Sequence, residues 1–436
     1  MKWTYLYGEK KYPYKTFTDD DFAKLINLVS ELDSGHVTSF MKHGNVRKAF
    51  NILYSQQFYL QKRVHKEIFA TQLKLYSTLK SKYDIEASFR EKTRLSIYEF
   101  LSLLHLTWVF TNANRVDTKM KYGGHLSRDF LNVCSELVSP LAVQNFLTLL
   151  TIDTRNAEEK IETFKRGITK KELQSLEITF FTIFPFQVHK DQIKLIHPAV
   201  FNYTANYFIH DFLKANDIYF GGEFGRRFEK YIALGLNEIN LKFKPETELK
   251  KLLPANSNVV DFLLEEDNVV IECKAIELQA YTSINPTDEL LFSSIKDSLI
   301  KAYSKQMLAT TALLKNDKEK WGIVLTYKQL FWSRFSDIWE VVKQKEKQEI
   351  KELDTTLLPP ENVFLIDIYA WDEIIQIVKE KKATLTELLE KAKENNSTPE
   401  TSKQLFEMHL DVYKTKSFHL DYLEKELEQL NRKFVK

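Results

Sequence analysis

Apolar residues recur every three or four positions through much of the first half of the chain. Leu53, Phe58, Leu60, Val64, Ile68, Phe69, Leu73, Leu75 and Leu79 follow that spacing, as do Ile97, Leu101, Leu104 and Trp108. This is the pattern of amphipathic helices. Thr18 stands three residues before Asp21 and ahead of Phe22, Leu25, Ile26 and Val29, a helix-start signal. Pro140 opens another apolar segment, Leu141 to Leu150. Around 180–197 two alternating arms flank Lys190-Asp191, which predicts a short hairpin, and 198–215 returns to helical spacing.

The pattern changes near residue 215. Gly221-Gly222 reads as a helix stop, and 223–239 as an amphipathic helix. Two short β-rich runs follow, 258–265 and 268–276, joined at Glu266-Asp267. A helix over 294–315, a strand over 321–327, a second strand over 362–368 and a further helix complete the order. Such an order predicts a small α/β unit with a mixed central sheet. The remainder is charged and helical, broken at 394–402. Leu420, Leu423, Leu427 and Leu430 make a short seam there, for oligomerisation or for docking back on the body, with docking the favoured reading. The expected organisation is a mainly helical region over 1–215, an α/β domain over 216–383 and a helical tail over 384–436.

At 436 residues the chain exceeds one ordinary core, and 44% hydrophobic with 28% charged residues is a globular composition. With 11 Gly and 10 Pro, low-complexity readings fail. Cys134 and Cys273 alone cannot build a disulfide framework or a cysteine zinc site. The opening residues lack the apolar stretch of a signal peptide and no run approaches a bilayer span, so a cytoplasmic protein with no membrane partner is expected. His197-Pro198 and His210-Asp211 lack the spacing of a zinc site. No G-x-x-x-x-G-K-[ST] loop or G-x-S-x-G elbow occurs.

Chemistry concentrates in the β-rich runs. Glu272 and Lys274, two apart in a strand, leave the same face, while Ile271 and Cys273 point to the other. A hairpin lays Asp261 alongside. Two carboxylates and an ammonium converging at a sheet edge make an oxygen-ligand site suited to Mg²⁺ or Mn²⁺, with Cys273 not a ligand. These are the requirements of metal-assisted phosphodiester hydrolysis. The competing reading is a surface salt bridge between Glu272 and Lys274. It must then explain why the flanking Val269, Val270, Ile271, Ala275 and Ile276 are apolar on both faces.

The arrangement resembles the PD-(D/E)XK superfamily, the restriction-endonuclease-like fold: a helix with an acid, a strand with Asp, a strand with E-x-K, then a helix. The matching stretches are Gly225-Arg226-Arg227-Phe228-Glu229-Lys230-Tyr231, Val260-Asp261 and Ile271-Glu272-Cys273-Lys274, within about residues 220–380. Val260 replaces the family's proline. The resemblance implies that Asp261 and Glu272 are metal ligands and Lys274 the catalytic lysine. It implies that Glu229 contacts the metal directly or through water, and that Gln306 on the following helix supports the site. Glu229 has a competing reading as a solvated helix acid beside Arg226 and Arg227, and Gln306 as an exposed helix residue. Glu223 is a rival acid placed before the helix proper.

Net charge is +2, but residues 40–130 carry 16 Lys+Arg against 7 Asp+Glu, or +9. Arg47, Lys48, Lys62, Arg63, Arg90, Lys92 and Arg94 form clusters interleaved with Phe50, Tyr54, Tyr59, Tyr76 and Tyr83. Such a region is either a nucleic-acid platform or a solvated helix face with core aromatics. Lys301 and Lys305 could add backbone contacts. The function expected from the whole is a metal-dependent nuclease, DNA rather than RNA its substrate. By analogy it belongs with bacterial restriction or antiviral defence, acting as a homodimer or with a separate ATPase partner. The alternatives are a nuclease-like module that binds without cutting, and a helical interaction protein.

Overall fold

The fold is described from a computed structural model covering residues 64–117, 124–153, 157–162, 179–189, 192–254, 257–278, 287–330, 334–345, 354–415 and 419–432, with isolated positions between them. Helices dominate and two mixed sheets are present. In the first half these are α1 (Lys66–Leu73), α2 (Ile85–Thr93), α3 (Ile97–Asp117), α4 (Arg128–Leu137) and α5 (Pro140–Leu150). Their starts follow local chemistry. Asp84, Ser127 and Ser139 accept a backbone N–H of the first turn of α2, α4 and α5, and Pro140 occupies the first turn of α5. At Thr18 the predicted start holds: Asp21 N–H donates to Thr18 Oγ1 at 3.2 Å and Thr18 N–H to Asp21 Oδ2 at 3.2 Å. Leu53, Phe58 and Leu60 lie outside the described residues.

The small sheet joins β1 (Thr151–Ile152) in parallel to β2 (Phe186–His189), which pairs antiparallel with β3 (Gln192–Leu195). The predicted hairpin is therefore present, although its turn residues Lys190 and Asp191 lie outside the described residues. His197 then caps α6 (Pro198–Asn216), its Nδ1 accepting Ala199 N–H at 3.1 Å.

The predicted stop at Gly221-Gly222 is overturned. Both glycines lie in the first turn of α7 (Phe220–Glu238). The break falls earlier, where the Asp217 carboxylate accepts Tyr219 N–H at 3.0 Å and the Tyr83 hydroxyl at 2.5 Å. Asp217 thus supplies the local side-chain acceptor that competes with helix.

The large sheet runs in chain order: β4 (Lys244–Pro245), β5 (Phe262–Leu264), β6 (Val269–Lys274), β7 (Trp321–Thr326) and β8 (Val363–Asp367). β4–β5 and β5–β6 pair antiparallel, β6–β7 and β7–β8 parallel. The hairpin arms are shorter than predicted, because the turn takes up Glu265 to Asn268, with Asn268 left-handed at φ 55°. Between β4 and β5 lies α8 (Glu246–Leu252). Between β6 and β7 lies α9 (Asp288–Ile295), which runs on through π-helical Lys296–Ile300 and Ala302–Met307 into Leu308–Thr311. α10 (Phe335–Lys345) precedes β8, and α11 (Ile368–Lys379) follows it.

The sheet separates two cores. Ile271, Cys273, Ile323, Leu325 and Ile366 face one, filled by Phe224, Phe228, Tyr231 and Ile232 of α7 and Trp371 and Ile374 of α11. Val270, Val324, Val363 and Leu365 face the other, filled by Ile295, Leu299, Tyr303 and Met307 and by Phe335 and Trp339 of α10. Both faces of β6 and β7 are therefore buried, which accounts for their near-continuous apolar runs. Helices α7 and α11 cross so closely that a Cβ on Gly235 would sit 3.1 Å from Trp371 Nε1 and Ile375 Cγ1.

The first core continues without a break from Val64 into the last helices. Arg227 of α7 is buried and spends its guanidinium on carbonyls of the helical half: Nη1 donates to Tyr76 at 2.8 Å and Nη2 to Tyr83 at 2.9 Å. The tail docks as favoured. After α12 (Leu385–Asn396), α13 (Asp421–Asn431) packs on α1, with Leu420, Leu423 and Leu430 buried and Lys74 paired to Glu426 at 2.9 Å. Asp372 of α11 ties the junction, accepting Tyr231 and Tyr422 hydroxyls at 2.8 Å each. Among the described residues no helix is long and apolar enough to cross a membrane.

Two measurements test this packing. Leu423→Ala is expected to cost about 2–5 kcal/mol in urea denaturation, the range for a buried leucine that leaves a cavity. A cost near zero would detach α13 from the body. The second concerns His105, in ring contact with both Phe69 (5.0 Å) and Trp108 (5.9 Å), where burial lowers its pKa to about 4. The folded state favours the neutral ring, so its contribution is complete above the unfolded value of about 6.5 and is lost as pH falls towards 4. His105→Phe keeps the stack and removes the proton, and should lose less stability than the parent between pH 6.5 and 4.

Candidate active site

Three elements place the predicted residues together. Glu272 and Lys274 alternate with Ile271 and Cys273 along β6 as the strand period requires. Asp261 stands one residue before β5, and its Oδ2 accepts Cys273 N–H at 2.7 Å. That bond seats the aspartate against the residue between Glu272 and Lys274. The third element is the helix after β6. Gln306, in its π-helical stretch, donates from Nε2 to Glu272 Oε1 at 2.6 Å and to Val259 O at 3.1 Å. One turn on, Thr310 Oγ1 accepts Val260 N–H at 3.2 Å. The helix therefore clamps the segment leading to Asp261, and Gln306 is half-buried against Glu272 rather than exposed.

Glu272 is 1% exposed. Lys274 Nζ and Gln306 both bond its Oε1, whereas its Oε2 is buried without a hydrogen-bond partner. Burial first, and then the neighbouring Asp261, raise its pKa, against the opposing pull of Lys274 and Gln306. Burial also raises that of Asp261, against the Cys273 N–H and Lys274. Glu229 of α7 belongs to the same field. Its carboxyl is pushed up to about 7 by burial, then by Asp261 and Glu246, while Lys274 acts the other way. Glu229 is half-buried, and the two arginines beside it have partners of their own. Arg227 is engaged with the helical half, and Arg226 pairs with Glu223 at 2.9 Å. Glu223, expected before the helix, lies in the first turn of α7. It is 1% exposed; burial would raise its carboxyl, yet Ser81, Arg226 and Arg227 hold it below the ordinary range.

Two features escaped the sequence reading. Glu246, in the first turn of α8, adds negative charge near Asp261 and Glu229, and its N–H donates to Asp261 O at 2.9 Å. The second is a separate charge cluster. His210 and Asp211 of α6 meet Glu277, three residues past Lys274, with ligand atoms within 4.8 Å of one another. The expectation that His210-Asp211 has no metal-type partner is thus corrected. No local spacing could show it, since Glu277 arrives from across the fold.

Lys328, just past β7, already sits in that cluster. It bonds Asp211 Oδ1 and lies 3.2 Å from Glu277 Oε1. Burial would raise both carboxyls, yet Lys328 and His210 hold them below their ordinary range. The two clusters differ in the direction of their shifts. At Asp211 and Glu277 a buried ammonium, with Lys214 and His210 at Glu277, holds the carboxyls low. At Glu229, Asp261 and Glu272 one partly exposed ammonium faces three acids, which are held against protonation only in part.

Of the proposed nucleic-acid contacts, Arg47, Lys48, Lys62 and Arg63 lie outside the described residues, with Phe50, Tyr54 and Tyr59. Arg90 is exposed and 3.6 Å from Glu86; Lys92 and Arg94 are exposed at the end of α2; Lys301 and Lys305 are exposed on the helix that carries Gln306. Tyr76 is a core residue, its hydroxyl donating to Tyr327 Oη at 2.7 Å. Tyr83 bonds Asp217. These two rings serve packing rather than base stacking.

The chain matches no family model, no curated protein and no solved structure.

Lys328→Met tests the difference between the clusters. It removes the ammonium that Asp211 and Glu277 share, leaving Glu277 to Lys214 and His210, and is expected to cost about 3–5 kcal/mol in chemical denaturation. A loss below about 1 kcal/mol would mean that the ammonium does not neutralise them.

Proposed function

We propose that the chain is a metal-dependent nuclease of the restriction-endonuclease-like type, hydrolysing phosphodiester bonds in DNA. The observation that carries the reading is Glu272: a carboxylate buried in an interior strand, with one oxygen fixed by Lys274 and Gln306 and the other without a hydrogen-bond partner. A buried charge is retained at such a cost where it has a task.

The donor set fits a hard divalent cation. Asp261, Glu272 and Glu229 offer carboxylate oxygens, which suit Mg²⁺ or Mn²⁺, and the buried Cys273 thiol faces the core on the other side of the strand. When bound, such an ion polarises the scissile phosphate and lowers the pKa of an attacking water. Asp261 and Glu272 would hold it, with Glu229 as a further ligand directly or through water. Gln306 keeps Glu272 Oε1 occupied, so that Oε2 is the oxygen available to it. Lys274, whose side chain keeps about a quarter of its surface exposed, directs its ammonium at a water or at the charge developing on the phosphate. The parallel β6–β7 pair and the clamp from Gln306 and Thr310 keep these groups on rigid elements, as positioning demands. Restriction or antiviral defence, dimerisation and an ATPase partner remain proposals by fold-level analogy.

Incubation with plasmid, linear duplex, single-stranded DNA and RNA, in Mg²⁺, Mn²⁺ or EDTA, tests the reading. Cleavage of DNA should require the metal and fall at least about 100-fold in Asp261→Asn and in Lys274→Met, the scale lost when a transition-state contact is removed. Cleavage that survives EDTA or either substitution overturns the mechanism. Salt-sensitive binding without cleavage by the parent would instead make the chain a nuclease-like binding module.

A further inference from the structure

A concavity in the helical half has a volume of about 340 Å³. That is the lower end of ordinary small-molecule sites, about 300–1,000 Å³. Four elements meet around it: the end of α2, the second half of α5, the outer face of α6 and the segment at Ile183-Phe184, with Lys160 at its side.

Its walls divide into two chemistries. One is aromatic. Phe208 and Phe212 of α6 stack on each other at 5.5 Å with an interplanar angle of 15°, and Phe184 stands across the pocket. Phe208 is fixed from behind by Phe100 at 5.0 Å, whereas Phe212 is only half-buried. The other is cationic. Lys92 and Arg94 stand exposed on the rim. Lys160 Nζ is held by the carbonyls of Thr148 and Thr151 at 2.6 Å each and lies 5.2 Å from the Phe184 ring centroid. Arg94 has left-handed backbone at φ 60°, the turn that ends α2 and puts the residue at the pocket mouth. Asn145 donates from Nδ2 to Arg94 O at 3.2 Å, which joins rim and wall, and Thr148 adds a hydroxyl.

A flat apolar floor with amide and hydroxyl groups at its side and three cations around it complements a flat heterocycle that carries an anionic group. We propose that this pocket binds one nucleotide, its base against the half-buried Phe212, which Phe208 backs, and its phosphate among Lys92, Arg94 and Lys160. Aromatic stacking is worth about 1–3 kcal/mol per base, and the cations supply the phosphate attraction. The nucleotide can come from two sources, a free nucleoside phosphate or the terminal residue of a single strand. Helix α6 links this pocket to the acidic cluster. Phe208 and Phe212 lie on one face, and Asp211, on another, is bonded by Lys328 next to Glu277, three residues beyond Lys274. The inference does not depend on the acidic cluster being hydrolytic.

Binding is read by calorimetry in EDTA on full-length Asp261→Asn protein, so that cleavage plays no part. The probes are the four deoxynucleoside 5′-monophosphates, a short single-stranded oligodeoxynucleotide and, as a competitor, a long-chain fatty acid. The rim is altered by Lys92→Gln with Arg94→Asn, asparagine being chosen because it accepts left-handed backbone. Phe212→Leu alters the floor with little loss of volume. The expected result is saturable nucleotide binding that weakens at least tenfold in each variant while thermal stability is kept. Affinity for monophosphates assigns the free source, and affinity for the oligonucleotide alone assigns the strand. No binding of either up to millimolar concentration, binding unchanged in both variants, or displacement by the fatty acid at equal affinity would overturn the proposal.

Discussion

Burying Glu272 in the middle of an apolar sheet is the constraint on which the candidate site depends. A carboxylate removed from water costs several kcal/mol unless charge and hydrogen bonds compensate it. Lys274 and Gln306 compensate one oxygen, and Asp261 with Glu229 adds charge of the wrong sign. Everything around the strand serves to hold this arrangement in place. Cys273 N–H secures Asp261, the π-helical turn brings Gln306 onto β6, and Thr310 fixes Val260. Two cores press on the sheet from either side. The free energy that maintains the surplus charge comes from apolar burial elsewhere, the usual relation between a functional site and its scaffold.

What could be read beforehand follows the range of each interaction. Period-two alternation fixes which residues of β6 share a face, so Glu272 and Lys274 were legible from their spacing alone. The hairpin brought in Asp261 because only a short turn separates the two runs. Gln306 was legible only through resemblance, since a glutamine on a helix carries no spacing signal. The Asp211–Glu277–Lys328 cluster was not legible. Its members come from α6 and from just beyond β6 and β7, and 117 residues separate Asp211 from Lys328. The start of α7 was misplaced because two glycines outweighed a local signal. Asp217 was the residue to read, as an acceptor for the backbone two positions on. The tail was legible in part. A leucine seam states that a helix buries one face but not against what, and α1 supplies the answer.

The boundary expected near residue 215 marks a change in pattern, yet the core runs across it. Arg227 shows why the two halves hold together. A buried guanidinium with four donors satisfied by Leu75, Tyr76, Ser81 and Tyr83 fastens α7 to the end of the first helix, and α7 in turn packs on β6. The helix that carries Glu229 is therefore anchored in the helical half. Its orientation towards Asp261 depends on residues about 150 positions earlier in the chain, bonded at separations of 144 to 152.

The comparison of the two acidic clusters bears on how a site can be told from a structural ion pair. Both contain buried carboxylates and lysine, although the first has Lys214 as well as Lys328 beside Glu277. The first is closed: Lys328 is 8% exposed, its charge answers Asp211 and Glu277, and its aromatic neighbours Tyr203 and Tyr207 add attraction. Folding gains from such a cluster, and both its carboxyls are held below their ordinary range. The second is open: Lys274 keeps contact with solvent, and the acids it faces are pushed above their ordinary range by burial and by each other. Folding alone gives no reason to retain that excess, since replacing Glu272 by an apolar residue would extend the core already present on both sides of it. The proposed metal site, which requires negative charge on that strand, would supply the reason. The trio at His210 has ligand atoms within 4.8 Å of one another, but Lys328 already occupies it.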